Sequence, residues 1–411
     1  MRHIINPLLR HRLMPLLVVL QVALACAIAC NALFLLQQRV QLILAPDGIG
    51  QPERLLVATN VIARGTPWSA ARLQGVAQAL GALSGVGSAG VAGALPMQTM
   101  AQMNGDVLAD GGSDSANAAV YIGANLRATL GLKLVAGRDF SAVEQGTQYS
   151  DVGINANGPT LITRALADRL FPDGRALGKI VRIGRAADAA RRTVVGVVEH
   201  LMRNQFGQDN RDNLDYSLVF PGVPGSWPVP LYAVRVADGA QVERVRKAVA
   251  ELIHRELGAE SVQGIEPRVE RYADLRQRMM AKSKAAVWLL AGVSLVVLIV
   301  TLVGVMGLTS YWVQQRTRQI GIRRALGARC RDILRDVQLE NLLVVAAGVV
   351  LGMALAYAIN LWLMHHYELL RLPWAYLPIG SMLMLVLGQL AVLGPARRAA
   401  RVPPVVATRS L

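Results

Sequence analysis

The stretch RTRQIGIRRALGARCRDIL, residues 316–334, sets arginines into a segment whose apolar residues still recur at helical spacing. Ile322, Ala325 and Leu326 fall at i, i+3 and i+4 with Ile320 beside them, while Arg323 and Arg324 take the opposite side. Gly327 interrupts the pattern, and a second amphipathic turn follows with Ile333, Leu334 and Val337. Long apolar runs flank the stretch on both sides. A helix, a break and a helix at a membrane surface has two plain readings: an interfacial segment whose arginines meet anionic lipid, or a surface for a protein partner. Composition leaves both open.

Outward from this hinge, the chain reads as a membrane protein. Of its 411 residues 53% are hydrophobic, above the level of an ordinary soluble domain. A bilayer span needs about 20 mostly apolar residues, and residues 14–36, 285–313, 342–364 and 377–393 meet or approach that length. Lys and Arg in the flanks set the orientation. Arg2, Arg10 and Arg12 precede the first span, Arg316, Arg318, Arg323, Arg324, Arg329, Arg331 and Arg335 fill the hinge, and Arg397, Arg398, Arg401 and Arg409 follow the fourth. The loop at 365–376 offers only Arg371, beside Glu368. Residues 1–13, the hinge at 314–341 and the tail at 394–411 are therefore expected in the cytoplasm, and 37–284 outside.

The formal charge of +16 fits this layout better than a nucleic-acid partner. About +11 of it lies in the three segments beside apolar runs, as membrane topology requires, and the middle region carries no basic stripe. Cys26 and Cys30 share one face of the first span, as a metal or redox pair would, but no third ligand lies near, and small packing residues are the expectation. ALAC and AIAC around them faintly resemble lipoprotein cleavage sites; the apolar run continues past both, so an uncleaved anchor is expected. With no cysteine between the first two spans, the outer region must hold by its core rather than by disulfides.

That region alternates strand and helix patterns. ERLLVATNVI reads as a strand, and TPWSAARLQGVAQALGAL as a helix with Thr66 at its N-cap and Pro67 at its first position. SAGVAGAL is strand-like, NAAVYIGANLRATLGLKLVAG is a strand followed by a short helix, and PTLITRALADRLF is a strand running into a helix. KIVRIG and RRTVVGVVEHL are strands, and PLYAVRV leads into the helical DGAQVERVRKAVAELIHREL. The expectation is an α+β domain with a β-α-β core and a β-rich subdomain inserted at about 137–230, ending in a stalk helix at about 272–284.

Catalytic signatures are thin. GALSGVGSAGVAGAL lacks the Gly-Lys-Ser/Thr ending of a phosphate loop and precedes a strand, and ALGKIV has no hydroxyl after its Gly-Lys. His200, His254, His365 and His366 show no ligand spacing, so no catalytic, cofactor or metal site is expected. Gln21, Asn31, Asn360 and Gln389 are polar residues within spans, expected to hydrogen-bond between helices. No Asp or Glu lies deep in a span, which leaves a proton relay without machinery.

RTRQIGIRRALGARCRDILRDVQLENLL resembles the signature of FtsX-like permeases, the MacB-type membrane subunits of ABC systems. GLKLVAGRDFS, LITRALADRLFPDGRALGKIVRIG and RTVVGVVEHLMR resemble that family's periplasmic core domain, and GPARRAARVPPVVATRS its C-terminal tail. The resemblance implies an inner-membrane protein with four transmembrane helices and a large α+β periplasmic domain between the first two. It also implies that the hinge carries a coupling helix docking on an ATPase, which assigns that role to Gln319, Ile320, Gly321, Ile322, Arg323, Arg324, Ala325, Leu326, Gly327 and Ala328. Gln319 stands where the family often has Glu. Further implied partners are a separate cytoplasmic ABC ATPase dimer that binds ATP and Mg, a second permease chain, and a periplasmic adaptor with an outer-membrane duct. The implied function is efflux by mechanotransmission. The alternatives within the family are a regulator of a periplasmic cell-wall enzyme and a lipoprotein-extracting permease.

Overall fold

The computed structural model describes residues 13–98, 103–146, 148–149, 156–186, 189–204, 213–225, 227, 229–367 and 372–400. Arg2, Arg10, Arg12, Glu368, Arg371, Arg401 and Arg409, used above to set orientation, lie outside the described residues. The chain opens with α1 (Leu13–Leu44), then β1 (Leu55–Thr59), α2 (Ala70–Gly81), β2 (Val86–Ala92), β3 (Asn104–Ala109) and β4 (Ser115–Ala124). It continues with α3 (Leu126–Leu130), β5 (Leu134–Gly137), α4 (Ala142–Gln145), β6 (Gln148–Tyr149), β7 (Gly158–Thr163), α5 (Arg164–Leu170), β8 (Ile180–Ile183) and β9 (Ala190–Val198). After β10 (Ser217–Pro221), β11 (Val223–Pro224), β12 (Leu231–Val236), α6 (Val242–Leu257) and β13 (Arg268–Arg271) come four helices: α7 (Tyr272–Gln315), α8 (Thr317–Ala325), α9 (Cys330–Tyr367) and α10 (Tyr376–Ala400). The chain divides into two units, residues 44–282 and the remainder.

The unit at 44–282 holds two lobes. In the first, β2, β12, β1 and β13 lie side by side in that order, with every neighbouring pair antiparallel. With α2 after β1 and α6 after β12, this is a split β-α-β pattern in which the link from β2 to β12 has grown into the second lobe. Leu73, Val76 and Leu80 of α2 and Val245, Val249 and Leu252 of α6 recur at helical spacing and bury against Leu56, Tyr232 and Val234 of the sheet. Helix α2 starts later than the Thr66–Pro67 reading. Its N-cap is Ser69, whose hydroxyl accepts the Arg72 amide at 3.3 Å. Trp68 just before the cap and Leu73 in the first turn are buried in the same core, so an apolar pair fixes the start that proline alone does not.

The second lobe closes on itself. Strands β4, β3, β8, β9, β7 and β10 pair in sequence, and β10 pairs back, in parallel, with β4 through Ser217–Pro221 and Ala119–Gly123. Val107, Val120, Ile162, Val181, Val194 and Phe220 point into this ring, a core of its own. Closure removes the exposed edges of those strands. The ring starts with β3 at Asn104, so the inserted lobe begins well before the expected boundary at 137. The reason is that β3 and β4 continue the strand pattern of the first lobe, and only their pairing partners separate them.

Both ends of the chain that leave this unit are tied at Asp47. Its carboxylate accepts the Ile49 amide at 3.1 Å and the Tyr272 hydroxyl at 3.2 Å, and its backbone carbonyl accepts the Met202 amide at 3.1 Å. Arg276 Nε stands 3.1 Å from the same carboxylate, off the line of its N–H, so the contact is a charge pair rather than a hydrogen bond. Arg276 Nη2 donates instead to the Ala45 carbonyl at 3.1 Å. Gly48, at φ +81°, allows this turn, and a Cβ there would overlap the His200 carbonyl.

The other unit contains four helices long and apolar enough to cross a membrane, α1, α7, α9 and α10. With the outer α+β region between α1 and α7, this is a four-span membrane-helical protein with a large α+β domain. Small residues let the helices approach closely. A Cβ at Gly348 of α9 would lie 2.8 Å from the Val22 side chain of α1, and one at Gly352 would lie 2.6 Å from that of Cys26. Gly380 of α10 likewise leaves room for the Cys30 sulfur. Cys26 and Cys30 are thus packing residues, buried as free thiols. Gln21 donates to the Val300 carbonyl at 3.1 Å, Asn31 to that of Ala356 at 3.2 Å, and Asn360 accepts the Leu372 amide at 2.8 Å. The bonds of Gln21 and Asn31 are the helix-to-helix role expected of them, whereas Asn360 holds the loop before α10; Gln389 Nε2 is buried without such a bond among the described residues.

Candidate functional site: the hinge helix

Helix α8 is short because it is closed at both ends. At its start Thr317 turns its hydroxyl back onto the Gln314 carbonyl at 2.8 Å, satisfying an acceptor that the break after α7 frees. At its end the Ala328 amide bonds the Arg323 carbonyl at 3.1 Å, around Gly327 at φ +100°. This is the left-handed closure in which glycine is favoured. Nothing lies within 4 Å of where a Gly327 Cβ would stand, so the requirement is conformational and not spatial. Two residues on, the Arg329 amide donates to the Asp332 carboxylate at 3.0 Å, half of a capping box that starts α9.

The hinge arginines divide into two groups. Arg316 bonds both carboxylate oxygens of Glu340 on α9, at 3.0 and 3.2 Å, with side chains only 20% and 14% exposed. Its guanidinium also stands 4.4 Å from the centre of the Trp312 ring, a cation–π contact. Arg323, two turns further on, reaches Asp336 at 3.4 Å with both partners open to solvent. Asp336 and Glu340 are one turn apart on the same face of α9. The second group, Arg318, Arg329, Arg331 and Arg335, is exposed and has no ion partner among the described residues. A cavity of about 90 Å³ lies beside this half-buried pair, walled by Trp312, Val313, Ile320, Ile333 and Val337.

The ten residues assigned to docking do not share one environment. Ile322 is 50% and Leu326 84% exposed, and Ala325 between them is exposed too, so the apolar stripe faces outward. Ile320 turns toward the cavity and Gly321 is buried. Gln319 lines the cavity mouth while remaining exposed, Arg323 is held by Asp336, and Gly327 and Ala328 form the closure. The side chain of Arg324 lies outside the described residues. Sequence reasoning missed the acidic partners, Asp336 and Glu340. Their i, i+4 spacing against arginines seven residues apart was a readable signal. Among the described residues no group of three His, Cys, Asp or Glu side chains gathers as a metal site would require.

Comparison with known proteins places these features. Residues 45–252 match the family described as MacB-like periplasmic core domain, and residues 291–404 the family described as FtsX-like permease C-terminal. The macrolide export ATP-binding/permease protein MacB of Chromobacterium violaceum is 28% identical over 296 residues, covering 70% of this chain and 43% of that protein. A probable export ATP-binding/permease protein of Pseudomonas fluorescens is 29% identical over 285 residues, covering 67% and 40%. The chain therefore spans about two fifths of the length of the curated relatives it matches. Among solved structures, the periplasmic region of MacB from Actinobacillus actinomycetemcomitans is similar at 16% identity and a TM-score of 0.36, over 58% of this chain and 98% of that one.

Proposed function

This chain belongs to the MacB-type, FtsX-like permease family, a multi-pass membrane family, and from that premise we propose that it is the permease of an ATP-driven export complex working by mechanotransmission. The observation that carries the reading is the outward stripe of Ile322, Ala325 and Leu326 on a helix clamped at its other face. In this reading the stripe is the docking surface for a separate ABC ATPase, which binds ATP and Mg and is present as a pair. Helix α7 supports the second half of the proposal. It starts at the residue after β13 and ends at Gln315, 44 residues without a break, roughly 66 Å at 1.5 Å per residue. A push delivered to α8 would travel along that rod. Two such permease chains closing together would then drive substrate through the periplasmic domains into an adaptor and an outer-membrane duct.

The test is co-purification. Ile322→Asp or Leu326→Asp puts charge on the stripe and is expected to release the ATPase while the permease stays in the inner membrane. Survival of the complex with both changes would refute docking at this stripe. Sidedness has its own probe, because Cys330 is exposed and Cys26 and Cys30 are buried. An impermeant maleimide should label Cys330 only from the cytoplasmic side, and a cysteine placed at the exposed Val143 only from the outside.

A further inference from the structure

We infer that Glu340, through its pair with Arg316, is the positioning residue that holds the hinge helix so that Ile322 and Leu326 face away from the bundle. The inference rests on the docking role proposed for that stripe, and it concerns residues to which that role assigns nothing.

Four observations carry it. The Arg316–Glu340 pair is the less exposed of the two hinge pairs, and one guanidinium nitrogen serves both carboxylate oxygens at 3.0 and 3.2 Å. Trp312 covers the guanidinium, so water competes poorly for it and the attraction is strengthened by the low local dielectric. The pair sits at the junction between α7 and α8, where Arg316 is the single residue between the two helices. It therefore fixes the angle at which α8 leaves, while the Arg323–Asp336 pair at 3.4 Å adds a weaker second point two turns on. Finally, Ile320 forms a wall of the cavity beside the pair, on the side of α8 away from the stripe. Two charge contacts and an apolar wall on one side leave the other side to the stripe.

The device also explains the charge of the hinge. Arginines 316 and 323 are internal fasteners, and among the hinge arginines with described side chains 318, 329, 331 and 335 remain to mark the membrane side.

The experiment uses the full chain in phosphatidylcholine nanodiscs, with Cys330→Ser and a reporter thiol from Ile320→Cys in the cavity wall. Its labelling rate with a charged maleimide reads how often the clamp opens. Glu340→Gln and Arg316→Gln should each speed labelling roughly tenfold, as loss of a half-buried pair predicts, and Arg323→Gln no more than about threefold. The charge-exchanged double variant R316E/E340R should return the rate to that of the parent, which a general loosening of the fold would not do. An unchanged rate in Glu340→Gln, or no recovery in the exchange variant, overturns the inference whatever the ATPase does. If the rate rises as expected while Leu326→Asp still retains the ATPase, the clamp stands and the docking reading falls.

Discussion

The two ends of α7 are fastened by ion pairs of opposite design. At Tyr272 the anchor is Asp47, a carboxylate with three polar partners, set in a turn that also engages Met202 and leaves Gly48 no room for a side chain. At Gln315 the anchor is a single half-buried pair, and the helix beyond it is free on its other face. The first arrangement holds the start of α7 from several directions. The second resists only rotation of α8 away from α9, and it leaves apolar surface available. The proposed push along α7 rests on that difference: one end of the helix is held by several bonds and the other by one pair.

The comparison can be broken at its strongest point first. Asp47→Ala removes the acceptor of Ile49 and Tyr272 and strands the Arg276 charge, at an expected cost of about 3 kcal/mol. Amide hydrogen exchange in the full chain should rise around residues 47–50 and 272–276; unchanged protection would show that the turn holds without its carboxylate. Leu326→Asp should weaken ATPase binding by roughly a hundredfold yet shift unfolding of the permease by no more than about 0.5 kcal/mol, since the side chain is already in solvent. Parallel losses in binding and stability would mean the stripe is core rather than surface. Gly327→Ala forces a non-glycine residue into the left-handed region and should cost about 1 kcal/mol, felt locally as faster amide exchange at Ala328 and Arg329.

The smallest effect concerns a pair that fastens nothing large. Arg138 bonds both oxygens of Glu144 at 2.9 Å and, with the Ser141 amide, holds that carboxyl down to about 2. Because the folded value lies below the unfolded one, the stabilisation is present above the ordinary carboxylate range and is lost as pH falls toward 2. Arg138 is more than half exposed, so the contribution is about 1 kcal/mol or less. The stability gap between the native chain and Glu144→Gln should narrow between pH 6 and pH 2.5. A gap that stays constant would assign the effect to the capping box alone.

Legibility from sequence followed the range of the interactions. β1, β4, the β7–α5 unit and the β12–α6 unit were readable because each is written in local alternation or a local 3.6-residue period. The start of α2 was misplaced by three residues, since Thr66 and Ser69 carry the same capping chemistry and burial of Trp68 decides between them. Ring closure was not readable at all. The β10–β4 pairing joins Val219 to Tyr121, nearly a hundred residues apart, and nothing in either strand names the other. At the hinge, the stripe and its glycine stop were visible, while the partners of Arg316 and Arg323 lie on the next helix and needed its rotational setting. The hinge was thus half legible: its shape was local, and its fastening was tertiary.

The glycines of α9 set how closely it packs on α1. Gly348 and Gly352 bring the backbones of α1 and α9 so near that even a methyl group would not fit between them at those positions. A side chain gained at either position would have to push the two helices apart, so each glycine sets their spacing.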